Sequence, residues 1–181
     1  METLTCIRER RSIRKFKPEA VDRDTVMEIV EAAAYAPSWK NTQISRYVVI
    51  EDKSLIEKIA SECVLDFTYN TKTMLGAPQL VVQTYVAGRS GYEKDGSFTT
   101  PKGDRWESYD AGIAAQTFCL AAHEKGVGTV ILGIFDDDKV AKAIGLPEGQ
   151  KVAALIPMGY PQGEAPAAPK RKAAEELVSF I

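Results

Sequence analysis

The alternation of apolar and polar residues along the chain predicts a succession of helices and strands. Asp22 precedes apolar residues spaced i, i+3, i+4 and i+7, which indicates a capped amphipathic helix that ends before Pro37. The other predicted elements are strands at 47–50, 80–86, 127–135 and 152–158, and helices at 54–59, 109–125 and 136–144. This order favours a layered α/β or α+β fold around one sheet.

Two segments fall outside this pattern. The polar segment 88–107 contains four glycines and the aromatic residues Tyr92, Phe98 and Trp106, which predicts a surface loop. Its rings either anchor the loop or stack on a substrate, and both interpretations remain open. The segment 157–172 contains four prolines and predicts an extended arm. Because the arm has little to pack on and apolar residues follow it at 178–181, we expect it to embrace a second subunit.

Composition narrows the class of protein. With 181 residues, 45% of them hydrophobic, the chain predicts a single domain spanning 1–181. Its apolar stretches are too short for a membrane span, and charges occupy the place of a signal peptide's apolar region, so we expect a cytoplasmic protein with no membrane partner. A net charge of −2 gives no general attraction to nucleic acid.

The cysteines and the single histidine exclude several kinds of site. Cys6, Cys63 and Cys119 are odd in number and widely spaced, which predicts reduced, buried thiols and no bound metal. His123 lies in an apolar helical stretch, where a packing role is favoured over a catalytic one. A serine-hydrolase triad and a histidine-based zinc site are therefore not expected.

Basic side chains crowd between Arg8 and Lys17 in a chain that is otherwise slightly acidic. An arginine fork donates two hydrogen bonds to a phosphate, and the Ser12 hydroxyl could add a third, so the cluster is a candidate phosphate site. A solvated basic face or a nucleic-acid contact is the alternative, and the same two interpretations apply to 170–172. The polar segment 36–43 is either a plain turn or a loop that binds ligand hydroxyls and carbonyls.

Taken together, these segments resemble the motifs of the nitroreductase family. In chain order the motifs are Arg10–Arg14, 36–43, Tyr69–Met74, Asp110 at the start of a helix, 131–135 around Gly133, and Met158–Pro161 followed by Lys170 and Arg171. The resemblance covers nearly the whole chain. It implies an α+β fold, a nitroreductase-like α/β sandwich with a central mixed sheet flanked by helices, and a homodimer that exchanges its C-terminal arms.

The resemblance also implies roles for single residues in binding FMN. Arg10, Arg11 and Ser12, with Lys170 and either Arg171 or Lys172, would hold the phosphate. Arg14 would reach the N1 and O2 side of the flavin ring, Asn70 would bond its pyrimidine edge, and the backbone of Leu132 and Gly133 would lie at N5. Pro37, Ser38, Trp39 and Asn41 would come from the other subunit. Thr73 stands where the family often has a lysine, and Lys72 is the alternative cation.

The implied activity is that of an FMN-dependent oxidoreductase with a ping-pong mechanism. NADH or NADPH would donate hydride, and small acceptors such as nitroaromatics, quinones or flavins would be reduced without an acid or base side chain. Other chemistry on the same fold, such as dehalogenation, enoate reduction or flavin fragmentation, and a non-catalytic flavin-binding or storage protein are the alternatives. The resemblance names neither the physiological acceptor nor the preferred nicotinamide.

Overall fold

The computed structural model describes residues 1–181 and contains one antiparallel sheet in the order β1-β2-β4-β3. The strands are β1 Ser45–Ile50, β2 Gln79–Val86, β3 Gly128–Thr129 and β4 Gln150–Gly159. The helices are α1 Thr3–Glu9, α2 Arg23–Ala33, α3 Lys53–Glu62, α4 Thr68–Leu75, α5 Arg105–Glu124 and α6 Asp137–Ala143. No helix is both long enough and apolar enough to span a membrane.

Helices cover both faces of the sheet, because the buried residues of the central strands alternate between them. Leu80 and Val82 of β2 join a cluster with residues of α3, α4 and α6. Val81, which lies between them, joins a second cluster with α2 and α5. This period of two is that of a strand buried on both sides. The α+β class and the flanking helices predicted from the sequence are confirmed.

Local signals explain where several helices begin and end. The Asp22 side chain accepts a hydrogen bond from the Thr25 N–H at 2.8 Å, which caps the predicted helix α2. The long helix α5 ends before Gly126, whose φ of 73° suits a residue without a side chain. The segment 88–107 is a loop as far as Arg105, where α5 begins.

The sheet differs from the expectation in two details. Every pair of named strands is antiparallel. The only parallel pairing in the sheet is an isolated bridge between Ser12 and Thr129, so the sheet is mixed at that point alone. The strand predicted at 127–135 shrinks to β3, followed by a bridge between Leu132 and Leu155. The backbone between these two pairings leaves the ladder, which frees the following residues to form a turn beside α4.

Candidate functional site

The basic motif 10–14 lies along the sheet edge formed by β3. The Ile13 N–H donates to the Thr129 carbonyl at 3.0 Å, and the Lys17 N–H donates to the Tyr160 carbonyl at 2.8 Å. Gly128 permits this close approach, since a Cβ there would meet the Ile13 side chain at 2.8 Å. Backbone hydrogen bonds therefore fix the motif, and the Arg11 and Arg14 guanidiniums add bonds to backbone carbonyls within residues 8–12.

Arg10 and His123 line one cavity, and each has a buried side-chain nitrogen that makes no hydrogen bond. The Arg10 Nε and the His123 Nε2 are both buried, and neither has a hydrogen-bond partner in the chain. Arg11 also lines this cavity, together with residues 126–129, which include β3. Burial, and next the charge of Arg10, lower the pKa of His123. Because buried polar atoms are normally satisfied, the cavity has the chemistry of an anion site that its ligand completes.

A second cavity adjoins the first through Ile13 and Pro161. Ser12 and Arg14 line it together with Tyr69 of α4. The Arg14 guanidinium lies 5.9 Å from the centroid of the Tyr69 ring, and its side chain is exposed. This position leaves the Arg14 cation accessible to a ligand that follows the motif toward α4.

Asn70 links α4 to the turn that contains Gly133. Its buried side-chain amide donates to the Ile134 carbonyl at 3.1 Å. Leu132 is buried and exchanges backbone hydrogen bonds with Leu155, whereas Gly133 is exposed, with no atom within 4 Å of an added Cβ. The structure thus brings Asn70, Leu132 and Gly133 together and leaves open space beside the Gly133 backbone.

The position in which the family often has a lysine does not offer a cation here. Thr73 is buried, and its hydroxyl donates to the Tyr69 carbonyl at 2.9 Å, so its polar group is used within α4. Lys72 is exposed and makes no ion pair. Of the two neighbours, Lys72 is the one with an available charge.

Segment 36–43 and the basic motif line separate cavities within one chain. Pro37 and Ser38 line an apolar cavity of about 380 Å³ between α2 and β1. The cavities that Arg10 and Arg14 line contain no residue of 37–41. Trp39 is half-buried and packs against Trp106 with ring centroids 4.7 Å apart, while Asn41 is exposed. The predicted flavin residues therefore form two groups in one chain.

The basic triplet Lys170, Arg171 and Lys172 also stands apart. All three side chains are exposed and make no ion pair, and none lines a cavity with Arg10. The start of the arm nevertheless lies beside the motif, because Pro161 and Ala165 line the Arg10 cavity. Lys170 follows Ala165 by five positions, and an extended chain of that length spans at most roughly 18 Å.

Sequence reasoning missed two buried carboxylates on α5. Glu107 accepts a hydrogen bond from the Gly88 N–H, and Asp110 accepts from the Trp39 N–H and the Ser90 hydroxyl. Asp110 had been noted only as a helix-start motif. The available signal was a pair of acidic residues one turn apart at the beginning of an otherwise alanine-rich helix, which predicts buried carboxylates only once their partners are known.

Comparison with known proteins identifies the family. The family profile described as the nitroreductase family matches residues 7–160 of the chain. The chain belongs to the nitroreductase family. Among its relatives, YfhC of Bacillus subtilis strain 168, which is named as a candidate NAD(P)H nitroreductase, is 30% identical over 179 residues. The aligned region covers 91% of this chain and 87% of YfhC.

Solved structures show the same fold. A nitroreductase family protein from Clostridium novyi NT has a TM-score of 0.76 and 31% identity, covering 90% of this chain and 86% of that chain. Oxidized iodotyrosine deiodinase bound to FMN and 3-iodo-L-tyrosine has a TM-score of 0.77 at 20% identity, covering 94% of this chain and 95% of that chain. The resemblance drawn from the motifs is confirmed, and with it the general class of flavoprotein oxidoreductase.

Proposed function

We propose that the protein is an FMN-dependent oxidoreductase that takes hydride from NADH or NADPH and reduces small acceptors in a ping-pong cycle. The observation that carries this proposal is the buried, unpartnered Arg10 Nε in a cavity beside Ser12 and Arg14. A phosphate oxygen would satisfy that nitrogen. The chain offers basic side chains around one such position, which suits the single terminal phosphate of FMN.

The residues present fit FMN, because the Arg10 cavity adjoins the cavity of Ser12 and Arg14, and Tyr69, which lines this second cavity, precedes Asn70. Arg10, Arg11 and Ser12 would hold the phosphate, and Arg14 and Asn70 would hold the ring. The open backbone at Gly133, beside the fixed Leu132, would receive the reactive edge. Lys72 would add positive charge where Thr73 cannot.

The protein's contribution to the chemistry is position and charge. When bound, FMN supplies the redox chemistry by accepting a hydride and passing electrons on. Arg14 would stabilise negative charge on the ring by its guanidinium, an electrostatic role that needs no proton transfer. The single histidine, His123, faces the Arg10 cavity, so no step requires a histidine at the ring.

We propose that the acceptors are small and oxidised, namely nitroaromatics, quinones or free flavins. The aromatic residues Trp39, Trp106 and Tyr109 form a contiguous cluster, with the Trp106 and Tyr109 centroids 5.4 Å apart. The Lys102 Nζ lies 4.1 Å from the centroid of the Trp106 ring. A flat, electron-poor ring suits such a surface because aromatic faces stack on it.

We propose a homodimer with shared flavin sites and exchanged arms. The two groups of flavin residues do not meet in one chain, so Pro37, Ser38, Trp39 and Asn41 would serve the partner's cofactor. The arm beyond Ala165 is exposed throughout, with Leu177 70% and Phe180 94% accessible. The edge strand β1 and the apolar cavity beside it offer a surface for such side chains. Exchange of the arms would also bring residues 170–172 to the phosphate of an FMN.

The experiment is to purify the protein, release its flavin and identify it by chromatography, then to add NADH or NADPH without oxygen. The proposal expects FMN and bleaching of the yellow colour. FAD at full occupancy would overturn the site, and a protein that stays yellow with both donors would be a flavin carrier. Reoxidation by a panel of nitroaromatics, quinones and flavins would then rank the acceptors.

A further inference from the structure

Segment 36–43 has an unusual backbone for residues with side chains. Lys40, Asn41 and Gln43 have φ values of 44°, 55° and 48°, in the left-handed region that favours glycine. Each such residue costs on the order of 1–3 kcal/mol unless its surroundings hold it in place. Within the segment, the Gln43 N–H donates to the Ser38 Oγ at 2.9 Å, and contacts from outside the segment add to this bond.

Those contacts converge on Asp110. Its buried Oδ2 accepts from the Trp39 N–H at 2.9 Å and from the Ser90 Oγ at 2.6 Å. The Ser90 Oγ also lies 2.7 Å from the Thr42 Oγ1. Because Ser90 has one hydroxyl proton and gives it to the carboxylate, Thr42 must be the donor to Ser90. One carboxylate thus holds the residues on either side of Lys40 and Asn41, through Trp39 directly and through Thr42 by relay.

The same helical turn also holds the start of loop 88–107. Glu107 precedes Asp110 by three residues, so both side chains lie on one face of α5. Its buried carboxylate accepts from the Gly88 N–H, and Ser90 follows two residues later. The loop and segment 36–43 are therefore fastened to one rigid element and to each other.

We propose that Asp110 is a positioning residue that presets segment 36–43 against loop 88–107, so that its flavin-binding face is formed before FMN arrives. The inference rests on the proposed function for the identity of the ligand. It assigns to Asp110 an indirect role, through the Trp39 backbone and Ser90, with no contact to the cofactor.

The two tryptophans give a readout that does not require the flavin. Trp39 and Trp106 are the only tryptophans in the chain, and their rings lie 4.7 Å apart at 44°. Two indoles at this distance with non-parallel planes produce an exciton couplet in circular dichroism. The couplet of flavin-free protein therefore reports whether segment 36–43 sits against loop 88–107, and Trp106→Phe supplies its baseline.

The test compares Asp110→Ala, Asp110→Asn and the control Asp104→Ala, which removes an exposed carboxylate without a side-chain cap bond at the start of the same helix. Asp110→Ala should lose the couplet and raise the Kd for FMN by about tenfold or more, since it leaves the Trp39 N–H unpaired. Asp110→Asn keeps an acceptor oxygen and should retain the couplet and bind FMN within about threefold of the wild type. Asp104→Ala should change neither quantity.

A wild-type couplet and Kd in Asp110→Ala would overturn the proposal. If that variant does not fold, Ser90→Ala decides the matter, because it keeps the carboxylate and breaks the relay to Thr42. The proposal expects Ser90→Ala to weaken the couplet and FMN binding together, and wild-type values would overturn it. A protein that fails to bind FMN at all would refute the proposed function. The couplet would still test whether Asp110 holds segment 36–43 against loop 88–107.

Discussion

The two groups of candidate flavin residues are built in opposite ways. Around Arg10 the backbone is paired onto β3, whereas the Arg10 Nε and the His123 Nε2 in the same cavity are buried without a hydrogen-bond partner. Around Trp39 the backbone is strained, and a buried carboxylate from a distant helix holds it. Only the indole Nε1 of Trp39 remains buried and unpartnered there.

This difference separates what a ligand must supply from what the chain supplies itself. On the proposed function, the Arg10 region would gain hydrogen bonds from an anion, and a few charge-assisted contacts would carry its affinity. The conformation of the Trp39 region should change little on ligand binding, because contacts within the chain already fix it. This lowers the free-energy cost of ordering the region when a ligand binds. Substitutions in the first region should change affinity, whereas those in the second should change structure first.

The largest effect is expected from a change that separates the two regions. Deleting 173–181 removes the exposed apolar end of the arm, so the dimer should dissociate and FMN affinity should fall by more than about 100-fold, roughly 2.8 kcal/mol, because assembly and binding are linked. Analytical ultracentrifugation and flavin titration measure the two losses. A truncated monomer that binds FMN as tightly as the wild type would refute the shared site.

The next effect isolates the anion site. Arg10→Ala should weaken FMN binding by about 10- to 150-fold, since a charge-assisted phosphate bond contributes roughly 1.5–3 kcal/mol. Arg8→Ala is the matched control, because Arg8 is exposed in α1 and lines neither the Arg10 cavity nor the Arg14 cavity. Flavin fluorescence gives both dissociation constants. Equal losses in the two variants would mean that the cluster is a diffuse basic face.

The contrast between the regions also explains how much could be predicted from the sequence. The Asp22 cap lies three residues from the N–H it binds, so a local pattern revealed it. Arg10, Ser12 and Arg14 are neighbours in the chain, so a local pattern was enough to predict them as one site. Asp110 and Trp39 are 71 residues apart, and no local signal joins them. Only the folded chain shows that they are partners.

Two helices were missed for a related reason. α1 and α4 have no side-chain hydrogen bond at their N-caps, and each buries few residues, so neither the start signal nor the apolar stripe was present. Tertiary contacts supply what the sequence lacks, such as the Asn70 bond to Ile134. The strand predicted at 127–135 was too long because apolar periodicity cannot report a backbone that leaves its ladder.

A third prediction tests how closely the second region is packed. A Cβ on Gly91 would lie 2.3 Å from the Gly103 carbonyl oxygen, so Gly91→Ala should displace the loop, destabilise the protein by about 1–3 kcal/mol and reduce the tryptophan couplet. Gly96→Ala is the control, since Gly96 also has a positive φ but has no atom within 4 Å of an added Cβ. Urea unfolding of both variants separates steric contact from backbone strain. Equal destabilisation would show that the contact is unimportant.

The smallest effect concerns the pH dependence of the first region. Burial, and then Arg10, lower the pKa of His123 in the folded chain, whereas the unfolded chain titrates at about 6.5. Between these two values the unfolded state binds more protons, so the stability of flavin-free protein should be complete above about pH 6.5 and should fall as the pH drops toward the folded pKa. His123 is the only histidine, so His123→Leu should flatten this slope between about pH 7.5 and 5.5.

Urea midpoints across that pH window measure the slope, with Asp104→Ala as a control that keeps the histidine. An unchanged slope in His123→Leu would show that the pKa of His123 is not lowered in the folded chain.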